Sequence, residues 1–339
     1  MTTVSTPKIS VVIPVHNGAA YLREALESII TQTFQDFELL IMDDGSTDST
    51  SKIIKDFAEK DHRIKIFHQQ NSGVVKSLNT LIAHSKTSFI ARMDADDIAY
   101  PKRLKAQYEY MKNHPKTVLL GTYAKIIESK KNWRRNTAFT EDILNRWYLS
   151  IIPPFIHSGV MFSKHAFDQA GGYREDEYPA EDYGLWVRMK HFGHLNSIPE
   201  TLMDYHLNDR GISSKNFKKQ IAKRDELNFK NLEDLYEKNE IPTASEALKL
   251  LTPYNLNRHQ RQVLGKLACC TGCFYIKKNN YSKAKEYFRL CLKMDPRRFD
   301  AALNLILGKF GKAFLISIDK YPAQLKFLFK TFWFTRTTR

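Results

Sequence analysis

The fold is decided by the stretch Ser88-Phe89-Ile90-Ala91-Arg92-Met93, which runs straight into Asp94-Ala95-Asp96-Asp97. Its first half predicts a buried β-strand, and the carboxylates after it predict a loop at the strand's carboxyl end. Three similar runs come before it: Ile9-Ser10-Val11-Val12-Ile13-Pro14, Glu38-Leu39-Leu40-Ile41-Met42 and Ile64-Lys65-Ile66-Phe67. Helical spacing of apolar residues fills the intervals 19–30, 49–60 and 73–83. This alternation predicts a doubly wound α/β sheet, in which ligands bind at the carboxyl ends of the strands.

Length and charge predict two domains of different character. The chain has 339 residues, of which 42% are apolar and 26% charged, so it is long enough for two folded domains. Residues 1–209 hold 25 Lys and Arg against 26 Asp and Glu, a net charge of −1, whereas residues 210–339 hold 27 against 11, a net charge of +16. We therefore expect a near-neutral domain over 1–215 and a basic helical domain over 216–339.

Cysteine usage and hydropathy exclude several classes of protein. All four cysteines lie in the last quarter of the chain, which excludes a secreted disulfide scaffold and favours a reducing compartment. The first eight residues are polar and lack an apolar leader, and no run of about 18 uncharged apolar residues is present. We expect a cytoplasmic protein, free or peripheral on the inner face of the cell membrane. Cys269, Cys270 and Cys273 share one predicted helix without a further ligand pair, so they are interpreted as packing residues and not as a zinc site.

The basic C-terminal region is predicted to contain a tetratricopeptide-like helix pair near 265–298. The residues that fit the repeat are Gly272, Tyr275, Tyr281, Ala284, Phe288 and Pro296. After it, the lysine-rich segment 303–339 ends in an aromatic cluster: Phe327, Phe329, Phe332, Trp333 and Phe334. Two interpretations stay open, attachment to an anionic membrane surface or a helical cap with an aromatic core. No nucleic-acid-reading module is present, so nucleic acid is not an expected partner.

Acidic clusters follow two of the predicted strands. Asp94 and Asp96, one residue apart on a loop, can hold a hard divalent cation that neutralises a diphosphate, although aspartates are also common in plain turns. Asp43 and Asp44 end the second strand, where a carboxylate can accept the ring N–H of a pyrimidine base. The alternative is that the residues after them only cap the next helix.

A third acidic cluster, Glu181-Asp182, opens a predicted helix. Acids there are also ordinary partners of the helix dipole, so the pair alone is weak evidence of function. Its context is a predicted strand over His157-Ser158-Gly159-Val160-Met161-Phe162 and a predicted tight turn at Gly171-Gly172-Tyr173.

In order and spacing, these clusters resemble the family 2 glycosyltransferases with the GT-A fold. The resemblance covers about residues 8–214 and rests on these residues: Pro14-Val15-His16-Asn17, Gln32-Thr33-Phe34, Asp43-Asp44-Gly45-Ser46, Gly73 with Asn79, Asp94-Ala95-Asp96-Asp97 with Pro101 and Arg103, Gly171-Gly172-Tyr173, and Glu181-Asp182. It implies a Rossmann-like, mostly parallel sheet that binds a nucleotide sugar.

The resemblance also implies a role for each cluster. Asp96, with Asp94, would hold Mn²⁺ or Mg²⁺, and Asp182 matches the family's catalytic base. The implied nucleotide-sugar-binding residues are Pro14, Val15, Asn17, Asp43, Asp44, Gly73, Asp94, Ala95, Arg103 and Glu181. Lys76 and Arg103 could contact the phosphates of the donor, and ordinary surface pairing is the alternative for both. Asp182 would take the proton of the acceptor hydroxyl as its oxygen attacks the anomeric carbon opposite the diphosphate, which inverts the configuration.

The sequence departs from the family in two places. His16 stands where an aromatic residue is usual. The family's Tyr-Arg-x-His segment reads Tyr205-His206-Leu207-Asn208, so either His206 binds the metal ion in a shifted register or no histidine does. The Gln-x-x-Arg-Trp signature of processive synthases is absent after Glu181-Asp182, which favours transfer of one sugar per acceptor.

The expected function is therefore transfer of a sugar from a nucleotide sugar, with a UDP-sugar as first choice, to a glycan or lipid-linked saccharide of a cell-surface polymer. Two alternative functions are less consistent with the sequence. An inactive transferase body serving as a protein-interaction scaffold is disfavoured because Asp94, Asp96 and Asp182 are all present. A sugar nucleotidyltransferase needs a Gly-rich, Arg-containing loop after the first strand, and Pro14-Val15-His16-Asn17-Gly18 does not supply one.

Overall fold

A computed structural model of the chain describes residues 7–128, 131–135, 145, 147, 149, 155–207, 216–253, 256 and 258–298. The chain divides into two compact units, Met1–Ile241 and Pro242–Arg339. Asn208 lies outside the described residues, and so does the aromatic cluster that begins at Phe327. The predictions made for them stay predictions. None of the helices in the described ranges combines the length and the apolar character needed to cross a lipid bilayer.

The first unit is built on a mixed sheet of nine described strands in the order β3-β2-β1-β4-β8-β6-β9-β5, with β7 paired to β6. The strands are β1 (Ile9–Val15), β2 (Phe37–Asp43), β3 (Ile64–His68), β4 (Phe89–Arg92), β5 (Ile98–Ala99), β6 (Thr117–Glu128), β7 (Lys131–Arg135), β8 (Met161–Ser163) and β9 (His194–His206). β1 to β4 are parallel, and β8 runs antiparallel to β4 and β6. The four predicted strands are confirmed, and the sheet is more mixed than expected because β5, β7 and β8 pair antiparallel.

Helices cover both faces of this sheet. They are α1 (Leu22–Ile30), α2 (Thr50–Ala58), α3 (Val74–His84), α4 (Arg103–Asn113), α5 (Lys164–Gln169), α6 (Glu181–Met189) and α7 (Phe217–Glu237). Neighbouring residues of one strand serve opposite faces, as strand geometry requires: Val12 packs with Leu78 of α3, whereas Val11 packs with Leu26 of α1. Both faces are buried, which explains the continuous apolar runs of the central strands.

The predicted strand over residues 157–162 is only half correct. A 3₁₀ turn, His157–Gly159, comes first, and β8 begins at Met161. The turn is held by the Gly159 N–H, which donates to the Ile156 carbonyl at 2.9 Å. A Cβ on Gly159 would lie 2.8 Å from the Met203 sulfur, so close packing on β9 requires glycine here. The turn brings Ser158 to the acidic loop.

Helix α7 belongs to the first unit. The Lys190 side chain is fully buried, and its ammonium lies 2.7 Å from the Asp234 carboxylate of α7. Lys190 also donates to Asn231, and the Tyr183 hydroxyl of α6 donates to Asn228. The first unit therefore extends to Ile241, beyond the predicted boundary at 215, because the buried charge after α6 needs its partner on α7.

The second unit contains α8 (Ala244–Leu251), α9 (Arg258–Lys277) and α10 (Tyr281–Met294). Thr243 and Glu246 form a capping box at the start of α8. The α9–α10 pair matches the predicted helix repeat: a Cβ on Gly272 would lie 2.7 Å from Phe288, and the rings of Tyr275 and Tyr287 stack at 5.5 Å. Cys269 and Cys291 are both buried.

Candidate active site

Three carboxylates meet after β4, at the carboxyl edge of the sheet. One oxygen from each of Asp94, Asp96 and Asp97 lies within 4.8 Å of the others. The Asp94 N–H donates to the Ser158 hydroxyl at 2.9 Å, and Asp97 Oδ1 accepts the His206 N–H at 2.8 Å. The loop is thus fastened on one side by the 3₁₀ turn and on the other by the end of β9.

Asp97 is the most buried member of this acidic cluster. Its side chain has no exposed surface, and its Oδ2 has no hydrogen-bond partner among the residues that the structure describes. Burial, with the nearby charge of Asp94, raises the pKa of Asp97 well above its ordinary value. Close oxygen ligands, one of them unsatisfied, fit a hard divalent cation such as Mn²⁺ or Mg²⁺. Asp97 was not among the predicted ligands, although it belongs to the same sequence run as Asp94 and Asp96.

Arg92, the last residue of β4, carries the positive charge at the centre of the site. Its side chain is buried and forms an ion pair with Asp94. Burial acts to lower the pKa of Arg92, but Asp94 outweighs it and the pKa is raised. The same guanidinium opposes the rise in the pKa of both Glu181 and Asp182. Arg92 therefore links the acidic cluster to the start of α6 electrostatically.

The two acids at the start of α6 share a poorly solvated place. Burial, and then the neighbouring charge of Asp182, raise the pKa of Glu181 to about 8. Glu181 Oε2 is buried, and none of the described residues forms a hydrogen bond with it. Burial also raises the pKa of Asp182, although its carboxylate accepts the Tyr183 N–H at 2.7 Å. With a pKa of about 8, Glu181 favours its protonated form at neutral pH.

Tyr173 completes the surroundings of Arg92. Asn79 fixes its backbone with two hydrogen bonds, donating to the Tyr173 carbonyl at 2.9 Å and accepting its N–H at 3.0 Å. The predicted turn before it is present, with φ of 76° at Gly171 and 65° at Gly172, where glycine is favoured. The Tyr173 hydroxyl lies 2.7 Å from His157 Nε2. Burial, with the charge of Arg92, holds the pKa of His157 well below its ordinary value, so its imidazole is neutral.

The acidic pair after β2 is saturated with hydrogen bonds from the chain itself. Asp44 accepts from Gln69 Nε2 at 2.6 Å and from the N–H groups of Ser72 and Gly73 at 2.8 and 2.9 Å. Gly73, with φ of 87°, is the residue before α3. A nucleobase would therefore have to share an oxygen of Asp44 with these donors.

Asp43 is bonded in a similar way. Its carboxylate accepts the Ser46 N–H at 2.9 Å and the Ser51 hydroxyl. Burial acts to raise the pKa of Asp43, but the hydrogen bonds from Ser46 and Ser51 outweigh it, and the pKa lies below its ordinary value.

The remaining predicted residues near β1 are placed as follows. Pro14 and Val15 lie inside β1, and the loop after this strand begins at His16. His16 Nδ1 lies 3.0 Å from the Asp44 carbonyl. Asn17, with φ of 52°, accepts the Thr47 N–H at 2.8 Å and so joins the loops after β1 and β2.

Two predicted phosphate contacts fall in very different surroundings. Lys76 is exposed on the first turn of α3, where it can reach a ligand. Arg103 is 1% exposed, and its guanidinium donates to the Arg92 carbonyl at 2.7 Å and to Gln107 at 3.2 Å. Burial lowers the pKa of Arg103 to about 10. This placement does not fit the expected phosphate contact and indicates that Arg103 supports the end of β4. Ala95 is half-buried against the core.

Family comparison agrees with this geometry. Residues 10–171 match the model of Glycosyl transferase family 2, and residues 272–298 match a Tetratricopeptide repeat. An "Uncharacterized glycosyltransferase" of Haemophilus influenzae is 32% identical over 222 residues, which cover 61% of this chain and 68% of the relative. The "O-antigen biosynthesis glycosyltransferase WbnJ" of Escherichia coli is 30% identical over 211 residues, which cover 60% of this chain and 80% of the relative.

Solved glycosyltransferase structures share the fold. S. aureus TarS 1–349 in complex with UDP aligns with a TM-score of 0.57 at 17% identity, over 89% of this chain and 88% of that chain. Mannosyltransferase PcManGT from Pyrobaculum calidifontis, in complex with GDP-Man and Mn²⁺, aligns with a TM-score of 0.52 at 17% identity, over 88% and 87% of the two chains. The solved structures show that the fold is shared, and the family model and the two sequence relatives show the family. The chain belongs to glycosyl transferase family 2.

Proposed function

We propose that the chain is an inverting, metal-dependent glycosyltransferase that uses a nucleotide sugar. The observation that carries the proposal is the approach of Asp94, Asp96 and Asp97 to within 4.8 Å, together with the buried Arg92 that couples this cluster to Asp182. A bare acidic turn would need neither a buried cation beside it nor a second pair of acids with raised pKa values.

The acidic cluster is the proposed metal site. Asp96 and Asp94 would hold Mn²⁺ or Mg²⁺, and Asp97 joins them because its Oδ2 is buried and unsatisfied. A bound divalent cation supplies positive charge to the diphosphate of the donor. PcManGT, which shares the fold, was solved with Mn²⁺ and GDP-Man, and this supports the same class of ion here.

Asp182 is the proposed catalytic base. In this proposal its carboxylate accepts the proton of the acceptor hydroxyl, while that oxygen attacks the anomeric carbon and the diphosphate leaves from the opposite face. Protonated Glu181 keeps a second negative charge away from Asp182 at neutral pH. Arg92 offsets the charge of Asp94, so that acids on both sides of the site can carry charge together.

The donor is proposed to be a UDP-sugar, bound by residues of the loops after β1, β2 and β4 and by Lys76. TarS was solved with UDP and with UDP-GlcNAc, which supports uridine, whereas PcManGT was solved with GDP-Man. The acceptor is proposed to be a glycan or lipid-linked saccharide of a cell-surface polymer. The support is the name of the relative WbnJ, an O-antigen biosynthesis enzyme. Such an acceptor would favour the first of the two interpretations of the basic C-terminal segment, attachment to an anionic membrane surface.

A thermal-shift panel tests the donor and the metal site together. UDP, GDP, CDP and dTDP are each added with and without Mn²⁺ to the wild type and to Asp96→Ala. We expect one nucleotide, UDP, to raise the melting temperature only when Mn²⁺ is present, and we expect the shift to disappear in the variant. Absence of a shift with every nucleotide, or an undiminished shift in Asp96→Ala, would contradict the proposal.

A further inference from the structure

Some of the exposed apolar side chains lie on segments next to the candidate active site. Among the described residues, the large hydrophobic side chains that are exposed are Tyr21, Tyr178, Phe192, Leu207 and Phe217. Tyr178 lies just before α6 and its two acids, and Leu207 follows His206, whose N–H binds Asp97. Single exposed apolar residues are ordinary, but several on the segments that border one site indicate a binding surface.

Hydrogen bonds join the two segments that carry Tyr178 and Phe217. Asn216 Nδ2 donates to the Tyr178 hydroxyl at 3.2 Å, and Gln220 Nε2 donates to the Pro179 carbonyl at 3.0 Å. The start of α7 is therefore fixed beside the segment that leads into α6. Tyr178 is 38% exposed and Phe217 is 52% exposed, so both rings reach the surface.

The position of this aromatic pair points to the acceptor and not to the donor. Tyr178 precedes Glu181 by three residues. Burial raises the pKa of the Tyr178 hydroxyl, and the charge of Glu181 raises it further. The donor's diphosphate belongs with the acidic cluster after β4, whereas the acceptor hydroxyl must reach Asp182, next to Glu181. A surface beside Glu181 is thus where the body of an acceptor would rest.

We propose that Tyr178 and Phe217 form an aromatic platform that binds one pyranose ring of the acceptor. The inference rests on the proposed function and names the substrate part that this surface would take. A pyranose ring presents a face of C–H bonds, which carry partial positive charge and pack on the negative face of an aromatic ring. Its hydroxyls stay at the ring's edge, where water, Asn216 and the tyrosine hydroxyl can satisfy them.

Saturation-transfer NMR tests this platform with methyl β-D-glucopyranoside and methyl β-D-galactopyranoside as probes. The full chain is used with UDP and Mn²⁺ present. We expect saturation of the axial ring protons on one face of the sugar in the wild type, and at least a threefold loss in Tyr178→Ala and in Phe217→Ala. Tyr178→Phe keeps the ring and is expected to retain the signal, which separates loss of stacking from loss of folding.

Phe192→Ala is the matched control, because Phe192 is 41% exposed and lies beyond the other end of α6. Its signal should equal that of the wild type. No saturation in the wild type, equal signals in all variants, or an equal loss in Phe192→Ala would each overturn the platform. A parallel UDP thermal shift keeps the two questions apart: if UDP and Mn²⁺ produce no shift, the proposed function fails, whereas a normal shift without sugar saturation rejects the platform alone.

Discussion

Two pairs of acids at the same edge of the sheet differ in their hydrogen bonding and in the direction of their pKa shifts. Asp43 and Asp44 accept hydrogen bonds from serines, a glutamine and backbone N–H groups, and the pKa of Asp43 lies below its ordinary value. Glu181 and Asp182 both have raised pKa values, and one oxygen of Glu181 has no hydrogen-bond partner in the described part of the chain. The first pair therefore accepts several hydrogen bonds from the folded chain, whereas the second accepts few.

This difference separates structural acids from acids kept for chemistry. A buried carboxylate that accepts two or three hydrogen bonds is stable as an anion and contributes to folding. A buried carboxylate without such hydrogen bonds is destabilised as an anion, so it lowers the stability of the protein unless it binds a proton or a ligand. Substitution of a carboxylate should therefore lower the free energy of unfolding in the first pair and raise it in the second.

The largest effect is expected from Asp182→Asn. Loss of the base should lower the transfer rate by about 10²–10⁴-fold, the usual contribution of general base catalysis. The rate is measured as nucleoside diphosphate released in the presence of a glycan acceptor, with the UDP thermal shift as the readout for donor binding, which should persist. Asp168→Asn, which changes an exposed aspartate of α5, is the control. If Asp182→Asn retained the turnover of the wild type, Asp182 would not be the catalytic base.

Glu181→Gln is expected to stabilise the fold as pH rises. Because the folded-state pKa of Glu181 is raised to about 8, the wild type loses stability between its ordinary value of 4.5 and pH 8, while the amide does not titrate. The variant should be more stable by a few kcal/mol at pH 8, since each pKa unit corresponds to about 1.4 kcal/mol, and equal to the wild type near pH 4. Urea unfolding without metal or nucleotide measures this, and the exposed Glu200→Gln should show no such trend.

Asp43→Asn should act in the opposite direction and more weakly. Removal of a buried hydrogen-bonded carboxylate should cost about 1–3 kcal/mol at pH 7. Because the folded-state pKa is lowered, the lost contribution is present above the ordinary value of 3.8 and disappears as pH falls through the folded-state pKa. Urea unfolding at pH 7 and pH 3 checks this. A variant as stable as the wild type at pH 7 would remove the distinction between the two pairs.

The fold was largely predictable because it depends on local pattern. The apolar runs gave β1 to β4 within two residues of their observed ends, and the Gly171-Gly172 turn followed from its composition. The 3₁₀ turn before β8 was missed because Gly159 is required by Met203, far along the chain, and no nearby residue signals that contact.

The site was predictable only as a set of clusters. Sequence order placed Asp94, Asp96, Asp182 and Glu181 at strand and helix ends, and these positions are confirmed. The saturation of Asp44 depends on the loop over residues 69–73, and the burial of Arg92 and Arg103 depends on how β4 packs in the sheet. Both are long-range contacts, which periodicity and spacing do not encode.

The buried Lys190–Asp234 pair limits how such chains can recombine in evolution. Lys190 and Asp234 both lie after residue 171, where the family match ends, and they lie on opposite sides of residue 215. A crossover between them would pair a buried ammonium with a foreign helix, and an unmatched buried charge costs about 3–5 kcal/mol. Viable hybrids should therefore exchange the whole of Met1–Ile241 as one inherited module, while the tetratricopeptide helices can be gained or lost independently.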